Sequence, residues 1–292
     1  MKNKWYTYSV KLHETFSLLK DSVIHWSRHR APRMGAALSY YTIFSIIPLL
    51  TLVIIVIGPL LDHAYLQAGI VSEVRNVMGR QGADFVQSLL TGVTDIQFSL
   101  TAVIVSAGTL LAGTLGVFYA LKNALDDLWE VNPSTRITRG WKYFFVSRII
   151  SLSVIPILGF LFLISLVFSS VLSFLASYSP YLADTTYLFQ VGTVVFTFFV
   201  VTFLFTFIYR YLPNRRLPWR ELLRGAFVTA LLFMLGRFVI NFYIAKFEVT
   251  SVFGAAGAFV VLLLWIYYSA LIFLYGASLT YVYSKRYGKL RG

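Results

Sequence analysis

Long uncharged runs alternate with short charged ones along this chain, and the alternation predicts helices that cross a lipid bilayer. No charged residue occurs over 34–61, 96–121, 149–183, 185–209 or 249–284, and Arg237 is the one charge within 225–245. An α-helix needs about 20 apolar residues to cross a hydrocarbon core about 30 Å thick. The pattern therefore predicts six spans, at about 35–61, 97–121, 149–176, 186–209, 224–245 and 252–284. The last run is longer than one crossing needs, so its start near Gly254 and Gly257 is expected at a surface or deep in a cavity. Pro48 and Pro156 are expected to kink their helices, and Tyr178–Tyr181 to turn the chain after the third span.

Outside the spans the periodicity changes. Trp5, Tyr8, Leu12, Phe16, Leu19, Val23 and Trp26 recur at spacings of three and four, one apolar stripe on a helix over 1–33. With lysines on the other face, it reads as an amphipathic helix in the membrane interface or one packed on the protein's own loops. Residues 62–95 read as two short amphipathic helices separated at Gly79-Arg80-Gln81-Gly82. In the second span Gly108, Ala112 and Gly116 form a stripe of small residues that lets a neighbouring helix approach. The fold class that follows is all-α: a polytopic membrane protein with six transmembrane helices and an N-terminal amphipathic helix, forming a single domain over 1–292.

Composition agrees. Hydrophobic residues make up 58% of the chain and charged ones 13%, about half the charged share of a soluble domain, and mean hydropathy is +0.73. There is no cysteine, which excludes disulfides, cysteine–zinc sites and cysteine nucleophiles. The first 33 residues are polar and charged, unlike a cleavable leader, so the first span is expected to remain as an anchor.

The net charge of +13 would point to nucleic acid in a soluble protein, but its distribution points elsewhere. Alternate segments, 1–33, 122–148, 210–224 and 285–292, hold 7, 5, 5 and 4 Lys/Arg, and the other three hold 2, 0 and 1. The positive-inside rule then places both termini in the cytoplasm of a bacterial inner or plasma membrane protein. The basic charge faces anionic headgroups, so membrane lipids are the expected partners and nucleic acid is not. The sequence names no partner protein.

Arg237 is the chemical anomaly. An arginine inside a span costs roughly 2.5–3.5 kcal/mol on insertion scales and marks a candidate functional site. It lies 13 residues beyond Arg224, about 20 Å along the helix. Asn241 follows one turn later on the same face. The guanidinium has three readings: snorkelling or a structural ion pair, binding an anionic substrate group, or a gating pair with Glu248. Ser39, Tyr40, Tyr41, Thr42 and Ser45 make the first half of the first span polar, as for helix-to-helix bonding or for lining a cavity. Arg237, Asn241, Ser39, Tyr40, Tyr41 and Ser45 are therefore the candidate substrate-binding residues.

Other polar groups read more blandly. His25 and His29 stand four apart, a spacing that suits a metal, but with no further ligand near them in sequence they read as interface histidines. Asp126, Asp127 and Glu130 beside Trp129 read as a helix end at the interface, near Lys122, Arg136 and Arg139. No metal and no cofactor is expected. No phosphate-binding glycine loop, zinc-protease motif or nucleophile elbow is present. No acid lies deep in a span, so a proton relay built on carboxylates is not expected. The protein reads as a non-enzyme with no catalytic residue.

Several stretches together resemble the YihY / virulence factor BrkB family. They are Arg33-Met-Gly-Ala-Ala-Leu-Ser-Tyr-Tyr-Thr-Ile-Phe-Ser-Ile-Ile-Pro48; Ala120-Leu-Lys-Asn-Ala-Leu with Trp129; Tyr211-Leu-Pro-Asn214 with Trp219; and Val252-Phe-Gly254 through Leu264-Trp-Ile-Tyr267 to Gly276-Ala277. The resemblance covers nearly the whole chain and implies six helices in a bacterial inner membrane. It also brings two functional associations, a ribonuclease BN label and envelope lipid traffic. A ribonuclease needs a water-exposed acid–base pair or metal cluster, and the sequence offers neither. The expected function is a transporter or flippase for an anionic lipid-like substrate. The alternatives are a small-solute or ion channel and a non-transporting scaffold.

Overall fold

Seven helices and no strand are found among the residues that the computed structural model describes, 2–57, 63–94, 100–131, 185–247 and 255–288. They are α1 (Lys2–Arg28), α2 (Ala31–Ile57), α3 (His63–Thr94), α4 (Leu100–Leu128), α5 (Thr185–Tyr211), α6 (Trp219–Phe247) and α7 (Ala255–Tyr287). Four stretches are long and apolar enough to cross a membrane: Val103–Leu128, Val194–Tyr211, Trp219–Ile240 and Phe259–Tyr287. They correspond to the second, fourth, fifth and sixth predicted spans. The first predicted span is helical as α2, unbroken through Pro48. The third, over 149–176, lies outside the described residues, as do Pro156, Arg136, Arg139 and Glu248.

Three expectations change. The break at Gly79–Gly82 is absent, and α3 is one helix of 32 residues. Two glycines cost a helix about 2 kcal/mol against alanine. Packing outweighs that cost: Val86 and Leu90 are buried with Leu50 of α2, and Val71, Val74 and Leu89 close around them. Second, the helix does not stop with the apolar run at 121: α4 reaches Leu128, so that its end falls at the acids of 126–130 as the sequence suggests, and Ala124, Leu125 and Leu128 are buried there. Third, the glycines that receive a neighbour on α4 are Gly113 and Gly116. A Cβ on them would collide with Ser45 and Tyr41 of α2, whereas Gly108 has open space around it.

The described residues form two compact units. One comprises Met1–His29, Leu125–Leu232 and Tyr275–Gly292; the other comprises Arg30–Ala124 and Phe233–Leu274. In the first unit α6 and α7 meet through a reciprocal pair. Gly225 of α6 lies against Thr280 of α7, and Gly276 of α7 lies against Thr229 of α6. Each threonine donates to the carbonyl of the glycine four residues before it in its own helix, at 2.7 Å. The hydroxyls are thereby satisfied without water, and their oxygens, with the rest of each threonine side chain behind them, occupy the space that the glycines leave. In the second unit, Gly236 of α6 lies under the Tyr268 hydroxyl and Gly35 of α2 lies under Leu271 and Tyr267 of α7.

The C-terminal half of α1 packs on α7 by its Leu18–Ser22–His25 side: the Ser278 and Tyr275 hydroxyls donate to the Ser22 and Leu19 carbonyls. Arg286 reaches Asp21 at 3.6 Å. Phe16, Leu19 and Val23 of the apolar stripe stay exposed.

Candidate functional site

The predicted polar residues of α2 and Arg237 fall in one unit. Ser39 is buried, and its hydroxyl donates to the Gly35 carbonyl at 2.8 Å. Ser45 donates in the same way to Tyr41 at 2.8 Å. Tyr41 and Ser45 also face Gly116 and Gly113 of α4. Tyr40 is exposed, with its ring 4.7 Å from that of Phe44. Arg237 is half-buried on α6. On one side of it Gly236 meets Tyr268, and Ile240 packs on Val261. On the other, Leu235, Phe238 and Val239 are exposed. Among the described residues no hydrogen bond or ion pair reaches the guanidinium. Asn241 is on α6 one turn further on, with its side chain outside the described set, and Glu248 lies outside it altogether.

The other unit holds a polar cluster at the C-terminal ends of α1 and α4. Helix α4 stops in a Schellman arrangement: the Val131 N–H donates to the Asp126 carbonyl and the Glu130 N–H to that of Asp127. The residue between must adopt a left-handed backbone, which glycine does without strain. Here it is Glu130, with φ 48°, at a cost of about 1–2 kcal/mol. Strain of this kind persists where surrounding contacts hold the residue, and it often marks function. Two contacts hold Glu130. Tyr281 donates to Oε2 at 2.8 Å, and Lys285 approaches the same oxygen at 3.4 Å.

His25, in the last turn of α1, and His29, just past its end, both reach this corner. One ring nitrogen of His25, Nε2, bonds the Leu128 carbonyl at 2.8 Å. Nδ1 of His29 bonds the His25 carbonyl at 2.9 Å. A carbonyl only accepts, so each of these nitrogens carries a proton, and in the neutral form of either ring the other nitrogen would hold the lone pair. The His25 ring also stacks on Tyr281, with centroids 5.2 Å apart. Burial holds the His25 pKa below the ordinary imidazole value, and the Leu128 bond opposes that shift without reversing it. For Glu130, burial raises the pKa, but Tyr281 and Lys285 outweigh it, and the carboxylate stays below its ordinary range. Ligand atoms of His25, His29 and Glu130 lie within 4.8 Å of one another.

Beside this corner the 210–218 turn is pinned to α4. Asp126 is buried, and its carboxylate accepts the Asn214 N–H at 2.8 Å and the Asn214 amide at 2.6 Å. Arg215 donates to the Trp129 carbonyl at 2.9 Å, and the buried Trp129 indole donates to Ala277 at 3.1 Å. Sequence reading placed the three acids beside basic residues of their own loop. The structure adds partners 88 and 155 residues away. It also supplies the histidine pair with a neighbouring acid that local spacing does not reveal.

The profile of a family described as Virulence factor BrkB matches residues 23–292. A protein named UPF0761 membrane protein from Azotobacter vinelandii is 28% identical over 257 residues, covering 86% of this chain and 59% of that protein. A protein of the same name from Neisseria meningitidis serogroup B is 27% identical over 264 residues, 88% of this chain and 61% of the relative. One from Pseudomonas aeruginosa is 29% identical over 253 residues, 86% and 58% respectively. The chain thus spans about three fifths of the length of these relatives. No solved structure matches it.

Proposed function

We propose, for a chain that belongs to the virulence factor BrkB family of membrane proteins, that it moves an anionic lipid-like substrate across a bacterial inner membrane. The observation that carries this reading is Arg237. It is a half-buried cation in a membrane-crossing helix, and no described residue neutralises it. The span accepts a cost of roughly 2.5–3.5 kcal/mol for that charge. A phosphate or carboxylate headgroup would offset it through charge-assisted hydrogen bonds to the fork of guanidinium donors. The surroundings suit an amphipathic molecule, because exposed Leu235, Phe238 and Val239 flank the cation. Exposed Tyr40 on α2 belongs to the same unit, and Tyr41, Ser45, Ser39 and Asn241 remain candidate contacts. Both termini are cytoplasmic in this reading. It draws support from contacts that join the lysine- and arginine-rich segments to one another: Arg286 with Asp21, Arg215 with the Trp129 carbonyl, and Lys285 with Glu130.

The test is transport by purified protein in liposomes carrying a labelled anionic lipid. Wild-type protein is expected to move the label faster than empty vesicles, and Arg237→Ala is expected to lower that rate at least tenfold. Equal rates in wild-type and empty vesicles reject transport. An unchanged rate in Arg237→Ala rejects the role of the arginine.

A further inference from the structure

We propose that His25, His29 and Glu130 form a binding site for a divalent transition-metal ion of the zinc type. The claim is independent of lipid movement and concerns the other unit of the fold. Four observations carry it. First, the set is two imidazoles and a carboxylate, a combination that zinc accepts with a fourth position left for water. Second, His25 lies in the last turn of α1 and His29 just past its end, where the His29 N–H still donates to the His25 carbonyl at 3.1 Å, so the two side chains leave the chain on one side. Third, each ring is already oriented. The Leu128 and His25 carbonyls each take one N–H, which fixes the tautomer and leaves a lone pair on the other nitrogen. Such outer bonds orient histidine ligands in known metal sites. Fourth, the negative ends of α1 and α4 meet here, since His25 bonds the last carbonyl of α4, and helix C-termini stabilise cations.

The geometry is close to that of a bound site. The ligand atoms lie within 4.8 Å of one another. Zinc bonds of about 2.0–2.1 Å require donors roughly 3.4 Å apart, so small side-chain rotations complete the set. Lys285 is the competitor, since it holds Oε2 of Glu130 at 3.4 Å. Both partners are substantially exposed, at 59% and 42%, so the pair is weak and the lysine can turn to solvent. The left-handed backbone of Glu130 fits this assignment. Glycine would stop α4 without strain, whereas this chain has an acid there, next to the two histidines. Metal bound here would fasten α1 to the end of α4.

The experiment is zinc binding to tag-free, full-length protein in detergent, by competition with a chromogenic chelator, alongside the visible spectrum of the cobalt(II) form. Wild-type protein is expected to bind one zinc per chain and to show cobalt d–d bands. His29→Ala and Glu130→Gly are each expected to weaken binding at least tenfold. Glu130→Gly removes the ligand while relieving the backbone strain, so it separates loss of metal from loss of folding. Lys285→Gln is expected to bind zinc as tightly as wild type or tighter. Absence of stoichiometric zinc and of cobalt bands in wild type, or equal affinity in wild type and a folded Glu130→Gly variant, would overturn the site.

Discussion

Asp126 shows how much one buried carboxylate organises. It is buried and takes two donors from Asn214, one from the backbone and one from the side chain. Asp126→Ala removes the carboxylate from both bonds, and hydrogen bonds to charged groups contribute about 1.5–3 kcal/mol each. The expected outcome is a loss of about 3 kcal/mol, read as a lower thermal midpoint in detergent. An unchanged midpoint would mean that the Asn214 turn is held by other contacts. At this scale the sequence was legible in kind and not in pairing. The absence of charge around Arg237 is local information, so its oddness is visible in the string. The partners of Asp126 and Glu130 lie 88 and 155 residues away, and no local periodicity encodes such a distance. The His25–His29 spacing was legible for the same reason that Glu130 beside it was not. The first is one turn of one helix, and the second depends on where two helices end.

Helices assemble here through small residues. The Gly225–Thr280 and Gly276–Thr229 contacts interlock α6 and α7, and lipid offers no hydrophobic drive to replace them. Gly276→Ala places a Cβ against the Thr229 side chain, and overpacking of this kind costs about 1–3 kcal/mol. Thr229→Gly in the same chain should recover part of the loss, as non-additive unfolding midpoints in a double-mutant cycle. Strictly additive effects would mean that the two residues do not share a contact. The uncharged runs predicted where helices lie, since a bilayer imposes length and apolarity together. Helix ends and faces were less legible. Buried Ala124, Leu125 and Leu128 carry α4 past its apolar run. Contacts with α2 select Gly113 and Gly116 from among several small residues. The glycines of α3 promised a break, but with a buried seam against α2 the helix continues through them.

For the whole molecule, charge asymmetry makes the clearest forecast. Segments rich in lysine and arginine should share the cytoplasmic side, and side-chain contacts join described residues of these segments: Arg286 with Asp21, Arg215 with Trp129 and Lys285 with Glu130. A reporter active only outside the cell should work when fused after Ser177 and stay silent at the C-terminus; the reverse pattern would overturn the orientation. Membership of the family was legible because its motifs recur in order along the chain, from the polar start of α2 to Gly276 and Ala277. Substrate identity is a property of a bound complex and leaves a weaker trace, here a half-buried arginine that no described residue neutralises. The most direct measurement is therefore the ratio of anionic to zwitterionic lipid movement in liposomes, for wild type and for Arg237→Gln, which keeps a polar side chain and removes the charge. The account predicts that wild type favours the anionic lipid severalfold and that Arg237→Gln brings the ratio to about one, whereas a wild-type ratio of one, or a preference that survives the substitution, would contradict it.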